Sequence, residues 1–238
     1  MNLALRIKQI ADQHFDAMVA NRRHLHRNPE LSFEEFETTK FIAEKLKETG
    51  YDLQTITETG GYIDILGKNH SSKVIALRGD IDALPILEKN EVEYKSQNEG
   101  KMHACGHDVH TTSLLGAVRI LHELREEFEG TIRCIFQPGE ERLPGGASIM
   151  IKEGVLKNPN VESILGQHVM PLMEVGKVGF RPGLYMASAD EIYIHVIGKG
   201  GHGAHPHQNI DPVMIAAQII TQLQTIPSRR AKPSIPTV

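Results

Sequence analysis

Between His103 and His110 the chain reads HACGHDVH, placing three histidines, a cysteine and an aspartate in one short segment. A metal site, a cysteine nucleophile and a purely structural segment are all compatible with it. Cys105 and His107 are two apart, which in an extended segment turns both side chains to one side. Thiolate and imidazole are first-choice ligands for zinc and suit neighbouring divalent metals. A lone Cys-x-His pair, however, is more often a small buried hydrophobe beside a loop histidine.

Other segments bear on the choice. Glu140 and Glu141 follow QPG, and two adjacent carboxylates are either solvated or functionally placed. A metal hydrolase uses two such groups, one as ligand and one free to take a proton from water. Asp80 and Asp82 in RGDIDALP share a face if extended; they would ligate a metal, orient a ligating histidine, or cap a turn. His168 in GQHV is a further ligand or a satisfied strand-end histidine. His202, His205 and His207 sit in GKGGHGAHPH, whose glycines permit close approach to a substrate, or which is a polar surface loop. A cysteine nucleophile at 105 fits less well, because its base would be His107, His110 or a distant histidine and the paired glutamates would have no role.

The elements that must position these residues follow from periodicity. Leu3 to about Arg27 has apolar residues at helical spacing. Ser32 and Glu35 form a capping-box pattern ahead of a second helix running from Phe33 to Gly50. The strands YIDIL, KVIALRGD, TIRCIFQ and SILG then alternate with helices through TTSLLGAVRILHELREEF and ASIMIKEGVL. That alternation predicts an α/β fold with a mainly parallel sheet flanked by helices. Ligands of such sheets bind beyond the carboxyl ends of the strands, where RGDID, QPGEE and GQHV all fall. After about residue 186 the character changes: DEIYIHVIG alternates like a half-exposed strand, PVMIAAQIITQLQTI is an amphipathic helix, and IPTV begins another strand. The expected division is a catalytic metal-binding domain over 1–186 and the start of a smaller α+β satellite domain over 187–238.

Bulk properties narrow the classes. The chain has 238 residues, 40% hydrophobic and 24% charged, as in soluble globular proteins. A net charge of −4 gives no basic field for nucleic acid. No signal-peptide pattern and no apolar run of membrane-spanning length is present. Two cysteines, Cys105 and Cys134, cannot supply a disulfide framework, which points to a reducing cytoplasm.

Together RGDIDALP, HACGHDVHT, QPGEE, GQHV and GKGGHGAHPH, preceded by RRHLHRNPELSFEE, resemble the M20 metallopeptidase family, most closely its amidohydrolase branch. The resemblance implies a catalytic domain holding two divalent ions, zinc, manganese or cobalt. Cys105, His107, Glu141 and His168 would be ligands, with Cys105 bridging. Glu140 would be the general base, Asp82 would support a ligand from behind, and His202 would reach the substrate carbonyl or carboxylate. Asp80 stands where many M20 peptidases have histidine, which favours deacylation over peptidase activity. The implied reaction is hydrolysis of N-acyl amino acids by a water that Glu140 and the metal activate, in a homodimer formed through the satellite domain. The resembled enzymes are longer and supply one more histidine ligand near their C-terminus. The chain is therefore expected to be a fragment, impaired alone in metal retention, folding and turnover; the alternative function is a metal-binding or dimerisation fragment without turnover.

Overall fold

The computed structural model describes residues 2–70, 73–186 and 188–235. The chain divides into two compact units, 1–173 and 174–238. The first contains a sheet of β1 (Gly61–Leu66), β2 (Val74–Asp80), β3 (Thr131–Gln137) and β4 (Ser163–Gly166), in the spatial order β1-β3-β2-β4. β2 lies parallel to both β3 and β4, and β1 runs antiparallel to β3. The mainly parallel α/β arrangement expected from the alternation is thus present, with an antiparallel strand at one edge.

Helices cover both faces, so the inner strands bury consecutive residues rather than alternate ones. On one face Cys134 and Phe136 of β3 pack with Ile63 and Ile65 of β1. Leu114, Leu115 and Val118 of α3 (His107–Glu123), and Ile42 and Leu46 of α2 (Phe36–Lys47), close that core. On the other face Ile135 and Ala76 meet Met150 of α4 (Gly146–Lys152) and Val155. The long helix α1 (Leu3–Arg27) lies against α3 closely enough that the Met18 sulfur occupies the space a Cβ at Gly116 would need. Because β2, β3 and β4 are parallel, Asp80, Gln137 and Gly166 end at one edge of the sheet, beside the first turn of α3.

Three expectations are corrected. α2 begins at Phe36, not Phe33, and Ser32 and Glu35 do not form a capping box. Glu30 caps instead, accepting the amides of Glu37 and Thr38 at 3.2 and 2.7 Å, which leaves Ser32 and Glu35 free to turn inward. The helix expected from Thr111 starts at His107, so HDVH is its first turn rather than a loop; Gly106, with φ +87°, turns the chain into it. DEIYIHVIG forms no strand among the described residues. None of the described strands pairs with it, and Ile192 and Ile194 remain 77% and 51% exposed.

In the second unit α5 (Pro212–Leu223) forms as expected, with Pro212 in its first turn and the Asp211 carboxylate accepting the amides of Val213 and Met214. A lone antiparallel bridge joins Lys199 and Ile210. Of the strand expected at IPTV, residues 236–238 lie outside the described residues. Among the described residues no helix is long and apolar enough to cross a membrane.

A buried polar network fixes α1 against α3 and the loop ahead of it. His26 places Nδ1 2.7 Å from Asp108 and Nε2 3.1 Å from Glu88, while Arg22 reaches Asp108 at 2.8 Å. Glu88 also accepts the Ser96 amide at 2.6 Å. With a carboxylate at each ring nitrogen, His26 is favoured as the imidazolium. The hydrogen bond to Asp108 raises its pKa above the ordinary 6.5, burial opposes the shift, and Glu88 adds to it. A raised value means that the stabilisation is full below pH 6.5 and is lost as pH climbs through the folded-state pKa. His26→Gln is expected to lower the melting temperature more at pH 6 than at pH 8.5 in paired thermal scans.

Candidate metal centre

The site is built at the edge where the parallel strands end. β2 delivers Asp80 and, just beyond it, Asp82, both almost fully buried. Asp80 Oδ1 accepts His110 Nδ1–H at 2.6 Å and Oδ2 accepts Arg78 at 2.5 Å. Thr111 adds its hydroxyl to the Asp80 carbonyl at 2.8 Å. Asp82 is more heavily used. Its Oδ1 faces His107 Nδ1 at 3.2 Å, and its Oδ2 accepts the Ser32 hydroxyl at 2.6 Å and the Glu141 amide at 2.9 Å.

These bonds set the tautomers. In His107, Nδ1–H points at Asp82. Burial lowers the His107 pKa, but Asp82, Asp80 and Glu141 raise it above the ordinary value. In its neutral form the ring carries its lone pair on Nε2, which is buried and has no hydrogen-bond partner. That atom lies 3.8 Å from Glu141 Oε1, itself buried and unpartnered, 3.9 Å from Glu140 Oε2 and 3.7 Å from Asp80 Oδ2. His168 donates Nδ1–H to the Val169 carbonyl at 2.7 Å, which leaves Nε2 as the acceptor, 3.3 Å from Cys105 Sγ. Ligand atoms of Cys105, His107 and His168 converge within 4.8 Å of one another, and those of His107, Glu140 and Glu141 do the same. Asp80, His107 and His110 form a third such group. His110 has no free lone pair for a metal, because Nδ1 donates to Asp80 and Nε2 accepts the Val169 amide at 2.9 Å.

The same contacts explain local sequence. Gly106 brings HACGH so close to GQHV that a Cβ there would collide with the Val169 side chain. His110, one turn along α3 from His107, holds the backbone next to His168 through Val169.

The pocket is strongly anionic, with Arg78, bound to Asp80, facing four carboxylates: Asp80, Asp82, Glu140 and Glu141. Burial and the charges of Glu141, Glu140 and Asp80 push the Cys105 thiol up to about 12. Burial and the neighbouring Glu141 also raise Glu140. Asp80, although burial opposes its ionisation, is held down to about 2 by His110, His107 and Arg78. Asp82 is likewise lowered against the cost of burial, by its bonds from His107 and Ser32. A thiol held protonated at neutral pH is a poor nucleophile, which removes support from a cysteine hydrolase. A soft thiol, two imidazole lone pairs and two carboxylates, with His107 Nε2 and Glu141 Oε1 as orphaned buried acceptors, are the donor set a divalent transition metal takes, and its charge would deprotonate the thiol. The residues present fit such an ion.

The structure therefore brings together Cys105, His107, Glu140, Glu141, His168 and Asp82. His202 belongs to the second unit, where it is exposed, accepts the Ala204 amide at 3.1 Å and lies 5.2 Å ring to ring from His205. Sequence reasoning gave Ser32 and Glu35 only a helix-capping role and His110 only that of a base in the less favoured cysteine-nucleophile reading. A signal existed for His110, since a second histidine three residues after His107 shares its face in a helix.

His103 is also buried, with neither ring nitrogen hydrogen-bonded and burial lowering its pKa to about 4. His110→Ala, which strands both Asp80 and the Val169 amide, is expected to cost about 3 kcal/mol in denaturant unfolding of the metal-free chain.

Comparison with known proteins is consistent with this geometry. The pattern of peptidase family M20/M25/M40 matches residues 76–235. An N-acyl-L-amino acid amidohydrolase of Geobacillus stearothermophilus is 45% identical over 98% of this chain and 62% of its own length. IAA-amino acid hydrolase ILR1-like 5 of Arabidopsis thaliana is 46% identical over 92% and 49%. Among solved structures, the YXEP protein of Bacillus subtilis, a dinuclear metal binding peptidase from the M20 family, aligns with TM-score 0.69 and 36% identity over 92% of this chain and 57% of that one. The chain thus spans about half to three fifths of the length of these relatives.

Proposed function

Because the chain belongs to peptidase family M20/M25/M40, we propose that it carries the metal-binding site of an amidohydrolase acting on N-acyl amino acids. The observation that carries this reading is the pair of buried, unpartnered acceptors, His107 Nε2 and Glu141 Oε1, facing each other at 3.8 Å with Cys105, His168 and Glu140 alongside. Cys105, His107, Glu141 and His168 would hold two divalent ions, zinc, manganese or cobalt. Bound there, the ions supply Lewis acidity toward water and toward an amide carbonyl.

The protein's own groups have distinct tasks. Asp82 fixes His107 in the tautomer that presents Nε2 and, through the Glu141 amide, holds the backbone of that ligand. Glu140 is the more open of the two glutamates, its side chain 42% exposed against 21% for Glu141, so it faces where substrate and water enter. Glu140 takes a proton from water as the water oxygen bonds to the amide carbon. It then gives that proton to the amine nitrogen as the carbon–nitrogen bond breaks, releasing a carboxylate and a free amino acid. His202 would contact the substrate carbonyl or carboxylate from a satellite domain over 187–238, the region that would also form a homodimer. The acyl-amino-acid substrate class is supported by the names of the relatives, an N-acyl-L-amino acid amidohydrolase and an IAA-amino acid hydrolase. A cytoplasmic location accords with two free cysteines.

The test is amine release from N-acetyl and N-benzoyl amino acids by the purified chain loaded with zinc, manganese or cobalt. Chelation should abolish release and readdition of the ion restore it. Glu140→Gln should lower kcat at least ~100-fold with metal content unchanged. A chain that takes up the ions but releases no amine, with Glu140 or without it, would instead be the metal-binding or dimerisation protein without turnover.

A further inference from the structure

Ser32 and Glu35 are both buried polar residues, and neither caps the helix they precede, since Glu30 already does so. A buried carboxylate needs a compensating role, because its desolvation is costly unless its oxygens are hydrogen-bonded. Glu35, at 0% exposure, uses both oxygens: Oε1 accepts the Gly139 amide at 2.7 Å and Oε2 accepts the Thr59 hydroxyl at 2.7 Å. Gly139 immediately precedes Glu140. On the far side of Glu140, the Glu141 amide is held by Asp82, whose same oxygen accepts the Ser32 hydroxyl. The two backbone amides that flank Glu140 are therefore each anchored on a buried carboxylate, one of them on the segment from Leu31 to Glu35.

The backbone of that segment is itself docked on the strand end. Leu31 bridges Ala83, and the Ala83 amide donates to the Glu30 carbonyl at 2.8 Å. Phe33 adopts φ +68°, which lays its ring in the space that a Cβ at Gly139 would take. Gly139 has φ +55°, so the loop turns tightly under the ring and offers its amide to Glu35.

We propose that Glu35 is a positioning residue for the Glu140–Glu141 pair, with Ser32 acting in the same sense through Asp82. The assignment rests on the roles of Glu140 and Glu141 proposed above. It concerns the geometry of the loop, and so is measurable without metal or substrate. Glutamine at position 35 would retain the acceptor for Gly139, and the Thr59 hydroxyl can rotate to accept from the new amide. Alanine removes the acceptor. Aspartate keeps a buried carboxylate but withdraws it from Gly139.

The experiment compares Glu35→Ala, Glu35→Asp and Glu35→Gln with the unaltered chain by amide hydrogen exchange over 138–142, first without metal. Each variant is then titrated with zinc and with cobalt against a competing chelator, recording the cobalt visible spectrum. Alanine and aspartate should speed exchange of the Gly139 and Glu141 amides at least ~10-fold, weaken metal affinity ~10–100-fold and alter the cobalt spectrum, while glutamine stays within about threefold of the parent. Should the alanine variant fail to fold by circular dichroism, the aspartate and glutamine variants decide the matter. Unchanged exchange in the folded alanine or aspartate variant overturns the proposal, as does a glutamine variant as impaired as they are. A parent chain that takes up no ion overturns the metal-dependent function instead, and the metal-free exchange contrast still decides the role of Glu35.

Discussion

The site depends on one carboxylate. Asp82 lies just beyond the end of β2 and accepts from three directions: the Ser32 hydroxyl, the His107 ring and the Glu141 amide. Those partners come from the segment before α2, the first turn of α3 and the loop after β3. No other group in the described residues joins all three. The cost of burying Asp82 is met by these bonds, and their convergence leaves His107 Nε2 exposed to the centre rather than engaged with the protein. An interior that spends a buried charge in this way gains an ordered constellation more than it gains stability.

A second tier of bonds does the same for the remaining loop. Asp80 fixes His110, and His110 in turn accepts the Val169 amide. Loops at the end of a sheet are mobile by default, having few backbone partners of their own. Here each is secured by a main-chain amide donated to a buried side chain: Gly139 to Glu35, Glu141 to Asp82, Val169 to His110. Rigidity at the site thus comes from side chains acting on backbone, with Gly106 and Gly139 allowing the approach.

Much of this was legible in the sequence where local pattern and tertiary role agree. The apolar runs around Ile63, Ala76, Ile135 and Ile164 are strands, and the edge where RGDID, QPGEE and GQHV meet follows from their parallel arrangement. Ser32 and Glu35 were misread because three-residue spacing before an apolar run looks the same whether the two residues serve a helix end or a distant loop; only the tertiary fold reveals that Glu30 takes over the cap. Spacing placed Cys105 and His107 together for the wrong reason. They meet through the left-handed turn at Gly106, not along an extended strand. DEIYIHVIG carries the alternation of a strand yet forms none among the described residues: alternation is a local pattern, whereas a strand is defined by pairing.

The parallel pairing has a kinetic side. β2 meets β3 across roughly fifty intervening residues and β4 across many more, and the groups around His107 come from segments as far apart as Ser32 and His168. Contacts of such long range form late, after most of the loop-closure entropy has been met. The centre therefore cannot act as a seed for folding in the manner of a small zinc module, whose ligands are close neighbours in the chain. An ion held there would act as a latch, engaging only once the sheet has closed and slowing its reopening.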